Sequence, residues 1–349
     1  MIKKIKIENR IISDQSPVFI IAEAGVNHNG SLKLAKKLID VAAEAKADAV
    51  KFQTFDPRTL VTKVSAKAEY QTRNIGDESH WQMLEKLKLP RQWHAELKAY
   101  AKKKGLIFLS TPFSVDDADF MYKLGIAAIK VGSTDTNNLP YLRHIAKWNL
   151  PIIISTGMSD LNEIKESVTA LKKTGNSKLA IMHCTTNYPT PYEESNIRAM
   201  LTLKKEFGLL TGLSDHSMGI EVPLAAVALG AKIIEKHFTL DRNMPGPDHL
   251  ASLEPNELKQ MVTSIRNIEK ALGTGKKTPF KSEQKIAEIA RKSVVASRAI
   301  PTGKIITAQD IVLKRPGTGI KPKFWDKVLG KTAKKDIREE ELIAWKMLK

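Results

Sequence analysis

Two histidines stand at the ends of two neighbouring apolar stretches of the chain. His216 lies in SDHSMG, residues 214–219, and His237 lies in IEKHFT, residues 234–239. Neutral imidazole is the commonest protein ligand of divalent metal ions, and a pair of imidazoles leaves coordination positions open for water or a substrate oxygen. The two histidines are therefore either the ligands of one open metal site of the Mn²⁺ or Mg²⁺ type, suited to Lewis-acid chemistry, or two unrelated strand-end residues.

The elements that must position this pair can be read from the apolar pattern of the 349-residue chain. Short apolar runs span residues 18–26, 49–55, 106–113, 127–133, 151–158, 179–185, 210–217 and 232–239. Such runs are typical of strands buried on both faces, and their alternation with helical patterns predicts parallel βαβ units. Eight units favour a (β/α)8 TIM barrel. An open doubly wound sheet is the alternative, although no G-x-G-x-x-G follows the first run.

Every one of these runs ends in polar residues, which is where a parallel barrel carries its catalytic groups. The polar residues that we select from the first seven runs and the loops behind them are Glu23, Lys51, Gln53, Thr111, Lys130, Ser133, Asp135, Ser155, Thr186, Tyr188 and Ser214. A single Ser or Thr at such a point usually bonds to local backbone. A lysine inside an apolar strand is different, because burying an unpaired ammonium is costly. Lys51 and Lys130, with hydroxyl groups around them, indicate a phosphate site, and Glu23 is a candidate general base.

Three loops bear on this site. DRNMPGPDH, residues 241–249, predicts a rigid turn that presents Asp248 to a ligand, the alternative being that Asp248 only caps a helix. YPTPYE, residues 188–193, predicts a proline-stiffened loop that positions Tyr188 to stack or to hydrogen-bond. Residues 56–90 are too long for an ordinary connection and predict an insertion above the barrel mouth. The single cysteine, Cys184, is expected to be a core residue without a redox role.

Composition limits the other possibilities. The formal net charge of +18 could serve nucleic acid, anionic small molecules or solubility. Because the lysines are dispersed along helical segments, without a basic arm or interleaved aromatics, we expect no nucleic acid partner. The sequence has no apolar run long enough for a membrane span and no signal-peptide pattern, so a cytoplasmic location is expected. We predict a barrel over residues 1–275, a linker over 276–288 and a small β-rich domain over 289–349.

Several of these segments together resemble one known family. They are IAEAGVNHNGS, AVKFQTF, STPFS, IKVGS, STGM, HCTTNYPTPYE, GLSDHS, EKHFTLDRNMPGPDH and KRPGTGI. In this order, over nearly the whole chain, they resemble the bacterial sialic acid synthases. The resemblance implies a (β/α)8 barrel followed by a small antifreeze-like (SAF) domain. It also implies condensation of phosphoenolpyruvate with an N-acetylated amino sugar, a divalent metal (Mn²⁺ first, Mg²⁺ or Co²⁺ as alternatives) and a domain-swapped homodimer.

The resemblance also assigns roles to individual residues. His216 and His237 match the metal ligands, and Glu23 matches an essential acidic residue. The phosphoenolpyruvate set is matched by Lys51, Thr111, Lys130, Ser133, Ser155 and Ser214. The amino-sugar contacts are matched by Gln53, Asn74, Tyr188 and Asp248. Arg315 matches an arginine that reaches the partner's site.

The chain departs from one well-known pattern of the family at two positions near the sugar, where it has Asp135 in place of Glu and Thr186 in place of Asn. The resemblance favours an N-acetylneuraminate synthase that uses N-acetylmannosamine. The alternative is an N,N'-diacetyllegionaminate synthase that uses 2,4-diacetamido-2,4,6-trideoxymannose. A rival from another class is a carbohydrate- or nucleic-acid-binding protein built on the basic C-terminal domain. The presence of both histidines, Glu23 and both strand lysines argues against that rival.

Overall fold

A computed structural model describes residues 4–76 and 78–349 of the chain. The strands are β1 (Lys4–Ile7), β2 (Arg10–Ser13), β3 (Phe19–Gly25), β4 (Ala49–Thr54), β5 (Ile107–Pro112), β6 (Ile129–Val131), β7 (Ile152–Ser155), β8 (Leu179–Cys184), β9 (Leu210–Asp215), β10 (Ile233–His237), β11 (Ser293–Ala296) and β12 (Ile311–Lys314). The helices are α1 (Leu32–Glu44), α2 (Pro57–Leu60), α3 (Glu69–Ile75), α4 (His80–Leu87), α5 (Arg91–Lys103), α6 (Val115–Lys123), α7 (Leu139–Ala146), α8 (Leu161–Lys173), α9 (Ala199–Phe207), α10 (Glu221–Ala228), α11 (Pro255–Leu272), α12 (Lys281–Ala290) and α13 (Trp325–Val328).

The strands β3 to β10 form the predicted barrel, with a helix after nearly every strand. In the described residues they make one eight-stranded sheet in the order β5-β4-β3-β10-β9-β8-β7-β6, and its two end strands lie side by side. The pairings from β3 to β5 and from β6 through β10 back to β3 are parallel. Each of the eight predicted apolar runs contains one of these strands, so the TIM-barrel prediction is confirmed.

The register of the sheet sets the neighbours of the site. His237 of β10 pairs with Glu23 of β3, and Glu23 pairs with Lys51 of β4. On the other side of β10, Lys236 pairs with Asp215 of β9. Because these strands are parallel, their carboxyl ends meet at one end of the barrel. The structure therefore brings the first, second, seventh and eighth predicted runs together where the polar residues are.

Side-chain caps start two of the helices around the barrel. The Ser31 side chain accepts a hydrogen bond from the backbone N–H of Leu34 and so starts α1. Asp160 starts α8 with a reciprocal capping box, in which Glu163 accepts from the Asp160 N–H. Such caps satisfy backbone N–H groups that the first helical turn leaves free. They fix the helices that pack around the barrel and so hold its strands in place.

A β-hairpin that the sequence analysis did not predict precedes the barrel. Strands β1 and β2 pair antiparallel. Their inward residues Ile5, Ile7 and Ile12 belong to one buried cluster with Phe19 and Ile21 of β3. The hairpin thus packs on side chains from the amino-terminal half of β3, away from the strand ends that carry the polar residues.

The excursion between β4 and α5 contains three short helices, α2 to α4, where the sequence predicted an insertion. One side of it is apolar and packs on residues that follow the first three barrel strands. We call this group the mouth cluster; it consists of the buried residues Val26, Phe55, Met83, Leu84 and Leu87 and the half-buried residues Leu60, Val61 and Phe113. The insertion is therefore an ordered wall, built around an apolar core of its own.

The chain divides into two compact units, with the boundary between Gly273 and Thr274. The second unit contains α12 and a separate core, which includes Val294, Ile300 and Ile343 and is built from α13, the antiparallel pair of β11 and β12 and the segments between them. Helix α12, Lys281–Ala290, occupies most of the segment that the sequence analysis treated as a linker, residues 276–288. None of the helices in the described residues combines the length and the apolar character that crossing a membrane requires.

Candidate active site

A cavity of roughly 500 Å³ lies at the carboxyl ends of the barrel strands. Thirteen of the residues selected from the sequence line it: Glu23, Lys51, Gln53, Thr111, Lys130, Ser133, Ser155, Thr186, Tyr188, Ser214, His216, His237 and Asp248. They come from every strand of the barrel or from the loops behind those strands. The structure thus gathers into one place residues that lie up to 225 positions apart in the chain.

The floor of the cavity is a cluster of buried charges. The ammonium of Lys51 lies 2.9 Å from Glu23 Oε2 and donates to Thr111 Oγ1 at 2.9 Å. The ammonium of Lys130 donates to Ser155 Oγ at 2.6 Å. Both lysines are at most 4% exposed. Cations and hydroxyl groups held together at this depth form a preorganised site for an oxyanion such as phosphate.

A carboxylate that we had not selected sits between the two lysines. Glu235 Oε1 lies 3.8 Å from Lys51 Nζ and 3.5 Å from Lys130 Nζ, and it accepts a hydrogen bond from Ser214 Oγ at 3.0 Å. Two buried ammonium groups need compensating charge in a low-dielectric environment. Glu235 supplies part of that compensation. Its position at the end of an apolar run was the signal that could have identified it.

The surroundings of Glu23 and Glu235 shift the pKa values of these two carboxyl groups in opposite directions. Burial, opposed by Lys51 and reinforced by the nearby Glu235, raises the pKa of Glu23 to about 7. Burial also acts to raise the pKa of Glu235, but Lys130 and Lys51 outweigh it, so the pKa of Glu235 lies below its usual value. Two carboxyl groups whose pKa values are pushed apart can take different roles at neutral pH. Glu235 is the permanently charged member, and Glu23 is the one that can exchange a proton.

The two histidines predicted as metal ligands face each other across the cavity, with ring centroids 5.3 Å apart. His216 Nδ1 donates to the backbone carbonyl of Thr185, so Nε2 is the nitrogen with the lone pair, and in this structure it accepts from the Tyr188 hydroxyl. His237 Nδ1 is buried and has no hydrogen-bond partner among the described residues. Burial, followed by the neighbouring His216, keeps the pKa of His237 well below its usual value, so its imidazole is neutral.

These features fit a divalent cation held by the pair. Metal-binding histidines characteristically donate their other N–H to a carbonyl or carboxylate, as His216 does to Thr185. Asp248 Oδ2 lies 3.9 Å from His237 Nδ1 and could supply an oxygen nearby. The described residues contain no ready-made cluster of three or more His, Cys, Asp or Glu side chains around one point. The candidate metal site is therefore the histidine pair that the sequence predicted.

Tyr188 forms the side of the cavity above the histidines, and both interactions considered for it occur. Its ring stacks on His216 at 4.0 Å between centroids, and its hydroxyl donates to His216 Nε2 at 2.8 Å. It also stacks with Tyr70 of α3 at 5.1 Å between centroids, a partner that we had not predicted. Tyr188 thus connects the helical excursion to a candidate metal ligand.

Asp248 is presented to the cavity, as the first of the two sequence interpretations has it. Its side chain makes no capping hydrogen bond to the short 3₁₀ helix that follows it, and it is buried. Burial raises the pKa of its carboxyl to about 6. The turn before it is fixed by Asn29, which donates to the Pro245 carbonyl at 2.9 Å, and by Asn74, which donates to the Pro247 carbonyl at 2.7 Å.

Of the three remaining residues selected from the sequence, Asp135 and Asn74 do not line the cavity and Arg315 lies in the second unit, whereas Cys184, which was not selected, does line it. Asp135 is outside the group of described residues that line the cavity; it follows Ser133 by two positions and accepts a hydrogen bond from Asn138 at 3.0 Å. Asn74 also stands outside the lining and holds the turn that carries Asp248. Arg315 belongs to the second unit and is exposed. Cys184 is buried as predicted but also lines the cavity, 3.4 Å from Ser133 Oγ.

A buried ion pair lies behind the two histidines. Lys236 is fully buried, and its ammonium contacts Asp215 Oδ2 at 2.5 Å and the Ser217 carbonyl. Asp215 in turn accepts from the N–H and the hydroxyl of Ser217, each at 3.0 Å. Asp215 and Ser217 flank His216 in the chain, and Lys236 precedes His237. The pair therefore joins the two strand ends that carry the candidate ligands.

Comparison with known proteins places this arrangement in a family. The NeuB family model matches residues 38–277, and the SAF domain model matches residues 291–349. The chain belongs to the NeuB family. The match covers most of the barrel and includes nearly every residue of the cavity floor. The predicted sialic acid synthase family and the antifreeze-like domain are both confirmed, and the chain is accordingly an enzyme of the transferase class.

Three relatives illustrate the range of this family. The N,N'-diacetyllegionaminic acid synthase of Campylobacter jejuni is 51% identical over 93% of this chain and 98% of the relative. The N,N'-diacetyllegionaminic acid synthase of Legionella pneumophila is 46% identical over 94% of this chain and 93% of the relative. A solved N-acetylneuraminic acid synthetase from Leptospira borgpetersenii is 38% identical, covers 82% of this chain and 96% of its own, and superposes with a TM-score of 0.73.

Proposed function

We propose that this family member joins phosphoenolpyruvate to 2,4-diacetamido-2,4,6-trideoxymannose, forming N,N'-diacetyllegionaminate and inorganic phosphate. The observation that carries the proposal is the pair of buried lysines, Lys51 and Lys130, beside Glu23 and beneath two histidines. Relatives named for this product are 51% and 46% identical, against 38% for the solved synthetase named for N-acetylneuraminic acid. The legionaminate alternative is thus better supported than the N-acetylneuraminate synthase that the sequence favoured.

The residues of the cavity floor suit the donor substrate. In the proposed complex the phosphate of phosphoenolpyruvate lies against Lys51 and Lys130 on the open side of the cavity, away from Glu235, and the hydroxyl groups of Thr111, Ser155 and Ser214 donate to its oxygens. Binding of this kind fixes C3 of phosphoenolpyruvate near the aldehyde carbon of the sugar. The reaction between the two substrates then becomes effectively unimolecular, which lowers its entropic barrier. When the phosphate has left, the carboxylate of Glu235 balances part of the positive charge of Lys51 and Lys130.

The reaction forms one carbon–carbon bond and breaks one carbon–oxygen bond. C3 of phosphoenolpyruvate attacks the aldehyde carbon, whose oxygen takes up a proton from water and becomes a hydroxyl group, and the cationic centre that develops at C2 takes up a second water. Glu23 accepts the proton of that water. The tetrahedral centre then collapses, and the bond between C2 and the phosphate oxygen breaks, so phosphate leaves with that oxygen. When bound by His216 and His237, a divalent cation, Mn²⁺ in our proposal, supplies Lewis-acid polarisation of the aldehyde oxygen.

Release of inorganic phosphate tests the function. We expect release from phosphoenolpyruvate with Mn²⁺ and 2,4-diacetamido-2,4,6-trideoxymannose, at a higher kcat/KM than with N-acetylmannosamine. Phosphoenolpyruvate with Mn²⁺ but without a sugar is the control for simple hydrolysis. Absence of release with both sugars, from folded protein loaded with Mn²⁺, would contradict the proposed activity. A higher kcat/KM with N-acetylmannosamine would restore the N-acetylneuraminate assignment.

We further propose a domain-swapped homodimer, in which Arg315 of one subunit serves the barrel of the other. The support is helix α12 of the second unit, where Ile286 and Ile289 are 61% and 69% exposed, together with Phe280, which directly precedes this helix and is 74% exposed. Large apolar side chains exposed together mark an interaction surface. Sedimentation equilibrium should give twice the mass of one chain, and the Ile286→Lys/Ile289→Lys double variant should shift the protein toward the monomer. A wild-type protein that sediments as a monomer at micromolar concentration would remove this proposal.

A further inference from the structure

The cavity has an apolar side that the proposed chemistry does not use. All eight residues of the mouth cluster line it, whereas the reaction proposed above needs only the polar floor. Val26, Phe55 and Phe113 follow β3, β4 and β5, and Leu60 and Val61 come from the excursion that covers these strands. An apolar surface of this extent inside a polar sugar site calls for an apolar counterpart on the ligand.

The position of the mouth cluster indicates which part of the ligand meets it. Phe113 lies two residues beyond Thr111, and Phe55 lies four residues beyond Lys51, so both stand past the polar floor in the direction of the barrel mouth. The reacting aldehyde must lie near Glu23 and the histidines. The far end of an acceptor sugar, its C4 to C6 portion, therefore extends toward the mouth cluster.

We infer that the mouth cluster selects acceptor sugars that carry a methyl group at C6 and an acetamido group at C4. This inference rests on the proposed function. N-acetylmannosamine has a hydroxyl group at each of these carbons, C6 bearing it as a hydroxymethyl. Against an apolar wall such hydroxyl groups lose water without gaining a hydrogen-bond partner, whereas the C6 methyl group and the methyl end of the C4 acetamido group gain contact, with the amide turned away from the wall toward polar groups. Val61 and Phe113, both half-buried and facing the cavity, are the specificity residues that we assign.

The expected preference for one sugar over the other can be estimated from the apolar contact between the sugar and the mouth cluster. A hydrophobic pocket discriminates against an added hydroxyl group, or for an added methyl group, by about 10- to 100-fold. We therefore expect the ratio of kcat/KM for 2,4-diacetamido-2,4,6-trideoxymannose to kcat/KM for N-acetylmannosamine to lie in this range for the wild-type enzyme.

Two substitutions that add one hydroxyl group each test the assignment. Val61→Thr keeps the shape of the side chain, and Phe113→Tyr extends a ring at the barrel side of the wall. Each should lower the ratio of the two kcat/KM values by about 10-fold. Val64→Thr is the matched control, because Val64 belongs to the same excursion but is 91% exposed and faces solvent. The Val64→Thr ratio should equal that of the wild type.

The outcomes separate this inference from the proposed function. If wild-type enzyme releases phosphate with both sugars at equal kcat/KM, the enzyme assignment stands and the selection by the mouth cluster is wrong. The same follows if Val61→Thr and Phe113→Tyr lower both kcat/KM values by the same factor, since that is a structural effect. If the wild type releases no phosphate with either sugar, the proposed function itself fails. Thermal melting of each variant identifies a substitution that unfolds the barrel, and the other variant then decides.

Discussion

Replacing Glu23 with Gln should lower kcat by about 10²- to 10⁴-fold while leaving the KM for phosphoenolpyruvate within a few-fold of the wild type. The Gln side chain keeps the shape and the contact with Lys51, but it cannot take a proton from water. Because burial holds the pKa of Glu23 at about 7, the wild-type kcat/KM should fall as the pH is lowered through about 7. The acidic limb reflects protonation of the base, so it should be missing from the residual activity of Glu23→Gln.

A second carboxyl substitution sharpens this test. The charge of Glu235 helps to raise the pKa of Glu23. Glu235→Gln removes that charge, favours ionised Glu23 and should move the acidic limb of kcat/KM to lower pH. Glu44→Gln, at the exposed end of α1, is the control and should leave the profile in place. If Glu23→Gln retains the wild-type acidic limb, another group titrates in that limb and Glu23 is not the base.

The barrel could be predicted because its strands are buried on both faces. Runs such as residues 151–158 are so apolar that only a central strand accommodates them, and the helical patterns between them fix parallel pairing. The hairpin of β1 and β2 was missed, since KIKI alternates charged and apolar residues over only four positions and reads equally well as a basic terminus. Short strands gain their stability from the surface on which they pack, and the sequence does not display that surface.

The site was predictable where a residue type was out of place. Lys51 and Lys130 stood out as charges inside apolar strands, and both lie on the cavity floor. Glu235 was passed over because its role depends on Lys51 and Lys130, which approach it only through the barrel geometry. The mouth cluster was missed for a related reason, although Met83, Leu84 and Leu87 recur at helical spacing and could have been recognised as one buried face.

The buried ion pair of Lys236 and Asp215, which does not touch substrate, should have a large effect on the stability of the strand ends that carry the two histidines. Lys236 is fully buried and its charge is balanced by Asp215. Lys236→Met would leave that carboxylate buried without its partner, which typically costs about 3–5 kcal/mol of unfolding free energy. Asp215→Asn leaves the ammonium of Lys236 buried without its carboxylate partner and should lower the unfolding free energy by a similar amount. Urea denaturation of the metal-free protein measures both changes.

The double variant distinguishes stability from positioning. Lys236→Met/Asp215→Asn leaves no unpaired charge, so its loss of unfolding free energy should be smaller than the sum of the two single losses. Its affinity for Mn²⁺, measured by titration of the folded metal-free protein, should nevertheless fall by about 10-fold, the lower end of the effect of losing a residue that orients metal ligands, since the pair joins the two strand ends without contacting the imidazoles. A double variant with wild-type Mn²⁺ affinity would mean that the ion pair stabilises the barrel wall without setting the distance between His216 and His237. Reduced affinity in a protein that has recovered its stability would make Lys236 and Asp215 positioning residues, since they hold together the strand ends from which the two imidazoles project.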